Sequence, residues 1–283
     1  MPSEPLIGLH ISTGKSLDLA FDRAQEIGCT TFQIFTRNPR TWRFKPLEKD
    51  QTEAFRDKRK RSGFRLLVDH MPYLPNLASP EKATMKRSRL CLGEEVQRCD
   101  ALGIDYLVTH VGSHLGRGTM LGVKNVSDAV NHALASSDGE TIILLENMAG
   151  QKNSVGSRFE ELRLILDRVK MRKRVGVCLD SCHAFASGFD LSGPEAVSQS
   201  MAVFEDSVGY GCIKVVHLND SKGALGSNLD RHENIGKGKI GMKGMKAFLH
   251  YKGITERPLI METPYENLKG MKQCLSLVRS LLM

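Results

Sequence analysis

Six residues of this chain share both a chemical type and a beat. His70, His110, Glu146, Asp180, His217 and Glu262 follow one another at intervals of 40, 36, 34, 37 and 45 residues. Each is a His, Asp or Glu, and each closes a short apolar run such as Tyr106-Leu-Val-Thr-His110 or Ile142-Ile-Leu-Leu-Glu146. A carboxylate or an imidazole at the end of a buried run costs free energy unless something pairs with it. A single histidine in such a place is more often a hydrogen-bonded structural residue than a metal ligand. Six of six drawn from the ligand set are hard to produce by chance. Mixed nitrogen and oxygen donors suit zinc, manganese or iron rather than calcium, which takes oxygens. Two loop pieces extend the set: His183 lies three residues beyond Asp180, and Asp230-Arg231-His232 sets a carboxylate two residues from an imidazole. Nine candidates exceed the needs of one ion, so two or three ions sharing a bridging carboxylate are expected. The four carboxylates (Glu146, Asp180, Asp230, Glu262) do not neutralise three divalent cations, which leaves a net positive site open to a phosphate. Clustered divalent ions suit phosphodiester hydrolysis, because they activate a water, polarise the phosphoryl oxygens and neutralise the leaving alkoxide.

The elements that must position these residues are legible in the same spacing. Eight short apolar runs recur: Leu6 to His10, Thr31 to Phe35, Phe64 to Val68 leading into Asp69 and His70, Tyr106 to His110, Ile142 to Glu146, Arg174 to Asp180, Ile213 to His217, and Leu259 to Glu262. Val175, Val177 and Leu179 alternate as a buried strand does, and a loop is expected after Asp180. Between the runs lie stretches of helical period. Ala83 to Leu102 is one, and Phe159 to Val169, with Leu162, Ile165, Leu166 and Val169 on one face, is another. Gly28, Gly63, Gly103 and Gly211 sit where helix C-caps belong. Strand–helix units of about 35 residues, repeated eight times, predict a closed parallel (β/α)8 barrel. A doubly wound open sheet is the runner-up, but Ile11-Ser-Thr-Gly14-Lys15 stands where a dinucleotide-binding glycine motif would follow the first strand. No Pro- or Gly-rich linker divides the chain, so a single domain over residues 1–283 is expected. In a parallel barrel all strand ends open on one face, and the six residues would converge there.

Composition bounds the function loosely. Forty Lys and Arg against 32 Asp and Glu give a net charge of +8 and a pI near 9.1, which favours polyanionic partners. No apolar run approaches the roughly 18 residues needed to span a bilayer. The N-terminal Met1-Pro-Ser-Glu-Pro5 lacks the pattern of a secretory signal. Seven cysteines at irregular spacings, with no export signal, read as reduced intracellular thiols, and Cys178 and Cys182 as small buried hydrophobes. Of the other histidines, His10 could line the site or support it, His114 belongs to a loop, and His132 and His250 fall in helical stretches.

The chain resembles the endonuclease IV family of zinc-dependent apurinic/apyrimidinic endonucleases nearly end to end. The motifs that carry the likeness are Phe35-Thr-Arg-Asn38, Leu145-Glu-Asn147 with Ala149-Gly-Gln151, Val175 to Ala186 (with Asp180-Ser-Cys-His183 at its centre), His217-Leu-Asn-Asp220 and Asp230-Arg-His232. The resemblance implies a TIM barrel holding three Zn2+ ions, with Mn2+ as a partial substitute. His70 and His110 would hold the first ion, and Glu146 would bridge to the second. Asp180, His217 and Glu262 would complete the second; His183, Asp230 and His232 would hold the third. Glu146, Asp180 and Glu262 are the candidate catalytic carboxylates. The implied activity is that of a deoxyribonuclease IV of the phage-T4-induced type, a hydrolase of base excision repair. It cuts duplex DNA 5′ to an abasic site, leaves a 3′-hydroxyl and a 5′-deoxyribose phosphate, and trims blocked 3′ ends. The same likeness implies a monomer that works in the cytoplasm on the nucleoid, without a membrane.

DNA contacts are expected after the second strand. In Arg37-Asn38-Pro39-Arg40-Thr41-Trp42-Arg43, basic side chains interleave with an aromatic, and such a loop can follow phosphates or wedge into a duplex. The competing reading is a solvated loop with Trp42 packed beneath it. The resemblance places an inserted arginine at Arg40 and an aromatic wedge at Tyr73, with Asn38 and Arg37 beside them. Arg56-Asp-Lys-Arg-Lys-Arg61 reads as a solvated helix end on the outer face. Two other functions stay open on the residues alone: a metal-dependent sugar isomerase or epimerase, which uses a similar barrel, and a damage-binding protein without the chemistry. The first gives no reason for His183 and the Asp230–His232 pair, and the second gives none for an intact ligand set.

Overall fold

Alternation along the strands explains the architecture. In a computed structural model, which describes residues 4–43, 45–265 and 267–283, the strands are β1 (Ile7–Leu9), β2 (Phe32–Ile34), β3 (Leu67–His70), β4 (Tyr106–His110), β5 (Ile142–Glu146), β6 (Val175–Asp180), β7 (Ile213–His217), β8 (Asp220–Ser221), β9 (His232–Glu233) and β10 (Leu259–Met261). Eight of them form one parallel sheet in the order β1-β10-β7-β6-β5-β4-β3-β2, and the bridge between His10 and Gln33 brings its two ends together into a barrel. β8 and β9 make a small antiparallel pair at the mouth. Met1 to Ser3, part of the stretch that shows no secretory pattern, lie outside the described residues.

Successive strand side chains point to opposite faces. One set meets the surrounding helices and the other fills the barrel. The filling comes in layers, as closed parallel barrels require. Val68, Val108, Leu144, Cys178, Val215 and Ile260 are fully buried and pack together as an apolar plug. Two residues further along those same strands stand His70, His110, Glu146, Asp180, His217 and Glu262. The same step from Gly8 on β1 and from Thr31 before β2 leads to His10 and Gln33. Every strand of the barrel therefore contributes one polar residue, at or near its end, to a single layer above the plug. Gly8 is needed for closure: a Cβ there would lie 1.8 Å from the Thr31 carbonyl oxygen of the neighbouring strand. A register shift in β6 between Val177 and Cys178 sets Asp180 directly beside His217.

The helices around the barrel are α1 (Leu19–Ile27), α2 (Lys49–Ser62), α3 (Lys82–Leu102), α4 (Thr119–Ala135), α5 (Phe159–Leu166), α6 (Ser181–Ala186), α7 (Pro194–Ser207), α8 (Gly241–Leu249) and α9 (Leu268–Leu282). Most turn an apolar stripe inward, as Leu162, Ile165 and Leu166 do on α5, whereas α2 is strongly charged and buries Phe55. Gly28, Gly63 and Gly103 take left-handed conformations as C-caps of α1, α2 and α3. Gly211 does not: it lies in the 3-10 turn Tyr210–Cys212, and Gly209, at φ +89°, makes the reversal after α7. The segment after Asp180 is not a loop but α6, because the Asp180 carboxylate accepts the His183 backbone N–H at 2.7 Å and caps the helix. The helix predicted to Val169 ends at Leu166: Asp167 is still helical, but the N–H groups of Arg168 and Val169 bond three residues back, to Ile165 and Leu166, and the last turn tightens.

Candidate metal centre

Glu146 sits at the centre of the mouth with no solvent exposure. Its two oxygens face two different sets of imidazoles. Oε2 lies 3.2 Å from His70 Nε2 and 3.0 Å from His110 Nε2. Oε1 lies 3.0 Å from His217 Nδ1 and 3.3 Å from His183 Nδ1. A carboxylate so placed can serve two cations at once. Donor atoms gather into three groups within which all lie inside 4.8 Å of one another: His70, His110 and Glu146; Glu146, Asp180, His217 and Glu262; and His183, Asp230 and His232. A further grouping joins Asp180 and His232 to Cys182. The Cys182 thiol donates to the Arg231 carbonyl at 3.6 Å, and burial pushes its pKa up to about 12.

Neighbouring groups turn the imidazoles so that a ring nitrogen faces inward. His70 donates through Nδ1 to the Met71 carbonyl at 2.7 Å, which leaves Nε2 toward Glu146. His183 donates through Nδ1 to the Asn147 carbonyl at 2.9 Å, which leaves Nε2 3.1 Å from Asp230 Oδ1. The buried Nε2 atoms of His183 and His232 face carboxylates, Asp230 Oδ1 at 3.1 Å from the first and Asp180 Oδ2 at 3.6 Å from the second. Imidazole nitrogens turned toward carboxylates in this way fit a cation, and the nitrogen-and-oxygen donor set fits zinc. The carboxylates are steered too. Asn219 Nδ2 donates to Asp180 Oδ2 at 2.7 Å, and the same amide's Oδ1 accepts the Glu262 backbone N–H at 2.8 Å. Asn147 holds the Asp180 backbone from both sides. Asp220, fully buried, accepts the N–H groups of Gly238, Ile240 and Gly241 and so ties the mouth loops together. Asn147, Asn219 and Asp220 stand inside the sequence motifs, but only the folded mouth gives them these tasks.

The charges are mutually dependent. Burial disfavours the anion of Glu146, yet His110, His217 and His183 outweigh it and hold its pKa well below the usual carboxylate value. Glu262 is likewise brought to about 2, against burial, by His217 and His70. Burial also opposes the cations of His183 and His217, but Asp180, Asp230 and Glu146 around the first, and Cys178, Glu262 and Glu146 around the second, raise both well above 6.5. His10 goes the other way, to about 4, because burial dominates there. The metal-free cluster is thus a set of imidazolium–carboxylate pairs, which cations can replace.

A cleft of about 410 Å³ opens above these groups, lined by His10, His70, Tyr73, His110, His183, Asp230, His232 and Glu262 among others. Tyr73, 59% exposed, stands on its rim, edge-on to Phe35 at 5.3 Å. Its backbone N–H donates to the Pro39 carbonyl at 3.2 Å, which joins the two loops that carry Tyr73 and Arg40. Arg40 and Asn38 are exposed, and Asn38 Oδ1 accepts the Arg40 backbone N–H at 3.0 Å. Arg37 departs from expectation. Its side chain is 5% exposed, with Nε 2.6 Å from Glu95 Oε1, so it anchors the loop from beneath instead of reaching outward. The run 56–61 forms the last turns of α2: Arg56, Lys60 and Arg61 are exposed as expected, whereas Lys58 and Arg59 are partly buried, Lys58 paired to Asp18 and Asp22 and Arg59 to Asp105. His114 accepts the Gly118 N–H in a loop, His132 is exposed, and His250 donates to the Leu281 carbonyl.

Comparison with known proteins places this mouth in a family. Residues 21–281 match the model described as a xylose isomerase-like TIM barrel. The probable endonuclease 4 of Methanoculleus marisnigri is 45% identical over 277 residues, covering 98% of each chain. The chain belongs to the endonuclease IV family. The crystal structure of endonuclease IV from Thermus thermophilus superposes with a TM-score of 0.87 at 34% identity, covering 98% of this chain and 99% of that one. A D-tagatose 3-epimerase-like protein, at 18% identity and a TM-score of 0.71, shares the fold of the endonuclease IV family. Among the described residues no helix is long and apolar enough to cross a membrane.

Proposed function

We propose that this chain is a zinc-dependent endonuclease of base excision repair that hydrolyses duplex DNA 5′ to abasic sites, leaving a 3′-hydroxyl and a 5′-deoxyribose phosphate. The observation that carries the reading is the placement of Glu146, one oxygen toward each of two imidazole sets, beside a third group made by His183, Asp230 and His232. The names of the relatives, probable endonuclease 4 and endonuclease IV, support it. The third group distinguishes it from a sugar isomerase built on the same barrel with one or two ions.

In this reading His70, His110 and Glu146 hold one ion; Glu146, Asp180, His217 and Glu262 a second; and His183, Asp230 and His232 a third. When bound, such ions supply Lewis acidity, activating water and neutralising charge on the phosphoryl and leaving oxygens. Zinc suits the donors best, and manganese is the substitute that imidazole and carboxylate tolerate. The protein's residues do the rest. Glu146, Asp180 and Glu262 fix the cations, and Asn219, which bonds the Asp180 carboxylate and the Glu262 backbone N–H, keeps the Asp180 carboxylate from swinging toward the substrate. An enzyme that acts on a nucleotide inside a duplex must bring it out of the stack. Tyr73 at the rim and Arg40 on the adjoining loop are placed to occupy the gap and follow the backbone. The same cleft would accept a blocked 3′ terminus for trimming. We further propose a single domain over the whole chain, acting as a monomer inside the cell.

Metal analysis of the purified protein tests the centre. Close to three zinc-like ions per chain are expected, and a single ion would favour the isomerase.

A further inference from the structure

One fully buried side chain in the polar layer has no part in the three donor groups. Gln33, on β2, is 0% exposed and lies between Glu262 and His217. Its Nε2 is 2.6 Å from Glu262 Oε1 and 2.9 Å from His10 Nδ1, and its Oε1 is 2.8 Å from His217 Nε2. The hydrogen-bond logic admits one arrangement. An ionised carboxylate can only accept, so the atom facing Glu262 must be the amide NH2. The atom facing His217 is then the amide oxygen, which can only accept, so His217 Nε2 must carry a proton. With Nε2 committed, Nδ1 is the nitrogen left for the centre, and it lies 3.0 Å from Glu146 Oε1 and 3.2 Å from Glu262 Oε2.

We propose that Gln33 is the positioning residue of the second cation site: Glu262 orients its amide, and the amide fixes the tautomer of His217 that offers Nδ1 to the cation. The proposal rests on the reading of the centre as a metal site. A filler role accounts for it poorly. An apolar side chain would fill the layer without the cost of burying an amide, and the three polar partners of Gln33 satisfy most of its capacity only in this orientation. His70 and His183 are turned by backbone carbonyls that any sequence would supply, whereas His217 is turned by a side chain that substitution can remove. His10, on the far side of the amide, takes up its second proton and keeps the NH2 group from rotating.

The test compares wild type with Gln33→Met, which fills the space without hydrogen bonds, and Gln33→Glu, which keeps an acceptor for His217 but loses the donor to Glu262. Stepwise zinc affinities are measured by competition with a chromophoric chelator, the melting temperature of the metal-free protein is recorded, and the imidazole N–H of His217 is followed by NMR in histidine-labelled, zinc-loaded samples. Loss of a group that orients a ligand costs about 10–100-fold in metal affinity. Gln33→Met is expected to weaken one of the three sites by that factor while sparing the others, and to move the His217 Nε2–H resonance upfield. Gln33→Glu is expected to keep the low-field resonance and to bind that ion more tightly than Gln33→Met. A purely structural role would lower the melting temperature and leave all three affinities alike, and that result overturns the proposal. So does loss of the low-field resonance in Gln33→Glu, the measurement that decides if Gln33→Met fails to fold. If wild type itself takes up no more than one zinc, the reading of the centre fails and the proposal falls with it. Three ions in wild type with unchanged affinities in Gln33→Met remove Gln33 alone.

Discussion

At the scale of single residues, Glu146 and Glu262 are the groups on which the account stands or falls. Glu262→Gln keeps the shape of the side chain but removes a charge from the group it forms with Glu146, Asp180 and His217. Turnover on abasic DNA should fall by about 10²–10³-fold or more, while binding of that DNA, measured by fluorescence anisotropy, changes little. Undiminished turnover would remove Glu262 from the centre. The titrations give a second prediction at this scale. His183 and His217 have pKa values raised in the metal-free fold. Their charged rings therefore stabilise that state below their ordinary value of 6.5, and this contribution is lost as pH rises through the raised values. Glu262, held at about 2, contributes stability that is present above its ordinary value of 4.5 and lost only as pH falls through about 2. Cations displace imidazole protons, so zinc binds better as pH rises. The gain in melting temperature on adding zinc should therefore grow between about pH 6 and about pH 8, by roughly 2–4 °C for each kcal/mol of added binding energy. A gain that is flat or shrinks over that range would contradict the ion-pair description. Much of this chemistry was legible in the sequence, because strand ends one unit apart must converge in a parallel barrel. Gln33 was not: a lone amide in Phe32-Gln-Ile34 carries no charge signal, and its task exists only once β2 stands beside Glu262 and His217.

At the scale of elements, the loop after β2 changed most between sequence and structure. Its basic residues divide. Arg40 stays at the surface, whereas Arg37 turns under the loop to meet Glu95 on α3, beside Arg98 and Thr36. Nothing local separates the two arginines; the difference lies in a buried carboxylate far down the chain. Arg40→Ala should weaken binding to abasic duplex and lower the salt slope of binding by about 1, with little effect on stability. Arg37→Met should instead cost about 3 kcal/mol of stability in denaturant unfolding, because it strips a buried partner from Glu95. Equal effects of the two substitutions on DNA affinity, with no loss of stability in Arg37→Met, would return Arg37 to the binding surface. The segment after Asp180 makes a similar point. Six residues are too few for helical periodicity to register, and the cap that starts α6 uses the carboxylate that faces the centre. Gly209 and Gly211 both precede β7, and only the backbone reversal at Gly209 tells them apart.

At the scale of the molecule, the eight-fold repeat made the barrel legible, and the apolar plug beneath the polar layer predicts that the site can be emptied without loss of the fold. Val68, Val108, Leu144, Cys178, Val215 and Ile260 pack with no help from the mouth. Removing metal with a chelator should lower the melting temperature yet leave the far-ultraviolet circular dichroism of the barrel intact. Unfolding on chelation would mean that the ions, not the plug, hold the strands together. The charge of +8 belongs at this scale as well, since it favours a polyanion as partner. The most direct test of the central claim is incision of an end-labelled duplex that carries one abasic site, with zinc present and the product termini identified. A single cut 5′ to the abasic site is expected, one that leaves a 3′-hydroxyl and a 5′-deoxyribose phosphate and that slows by at least about 100-fold in Glu262→Gln. An uncut duplex, or a cut on the 3′ side of the lesion, would contradict it.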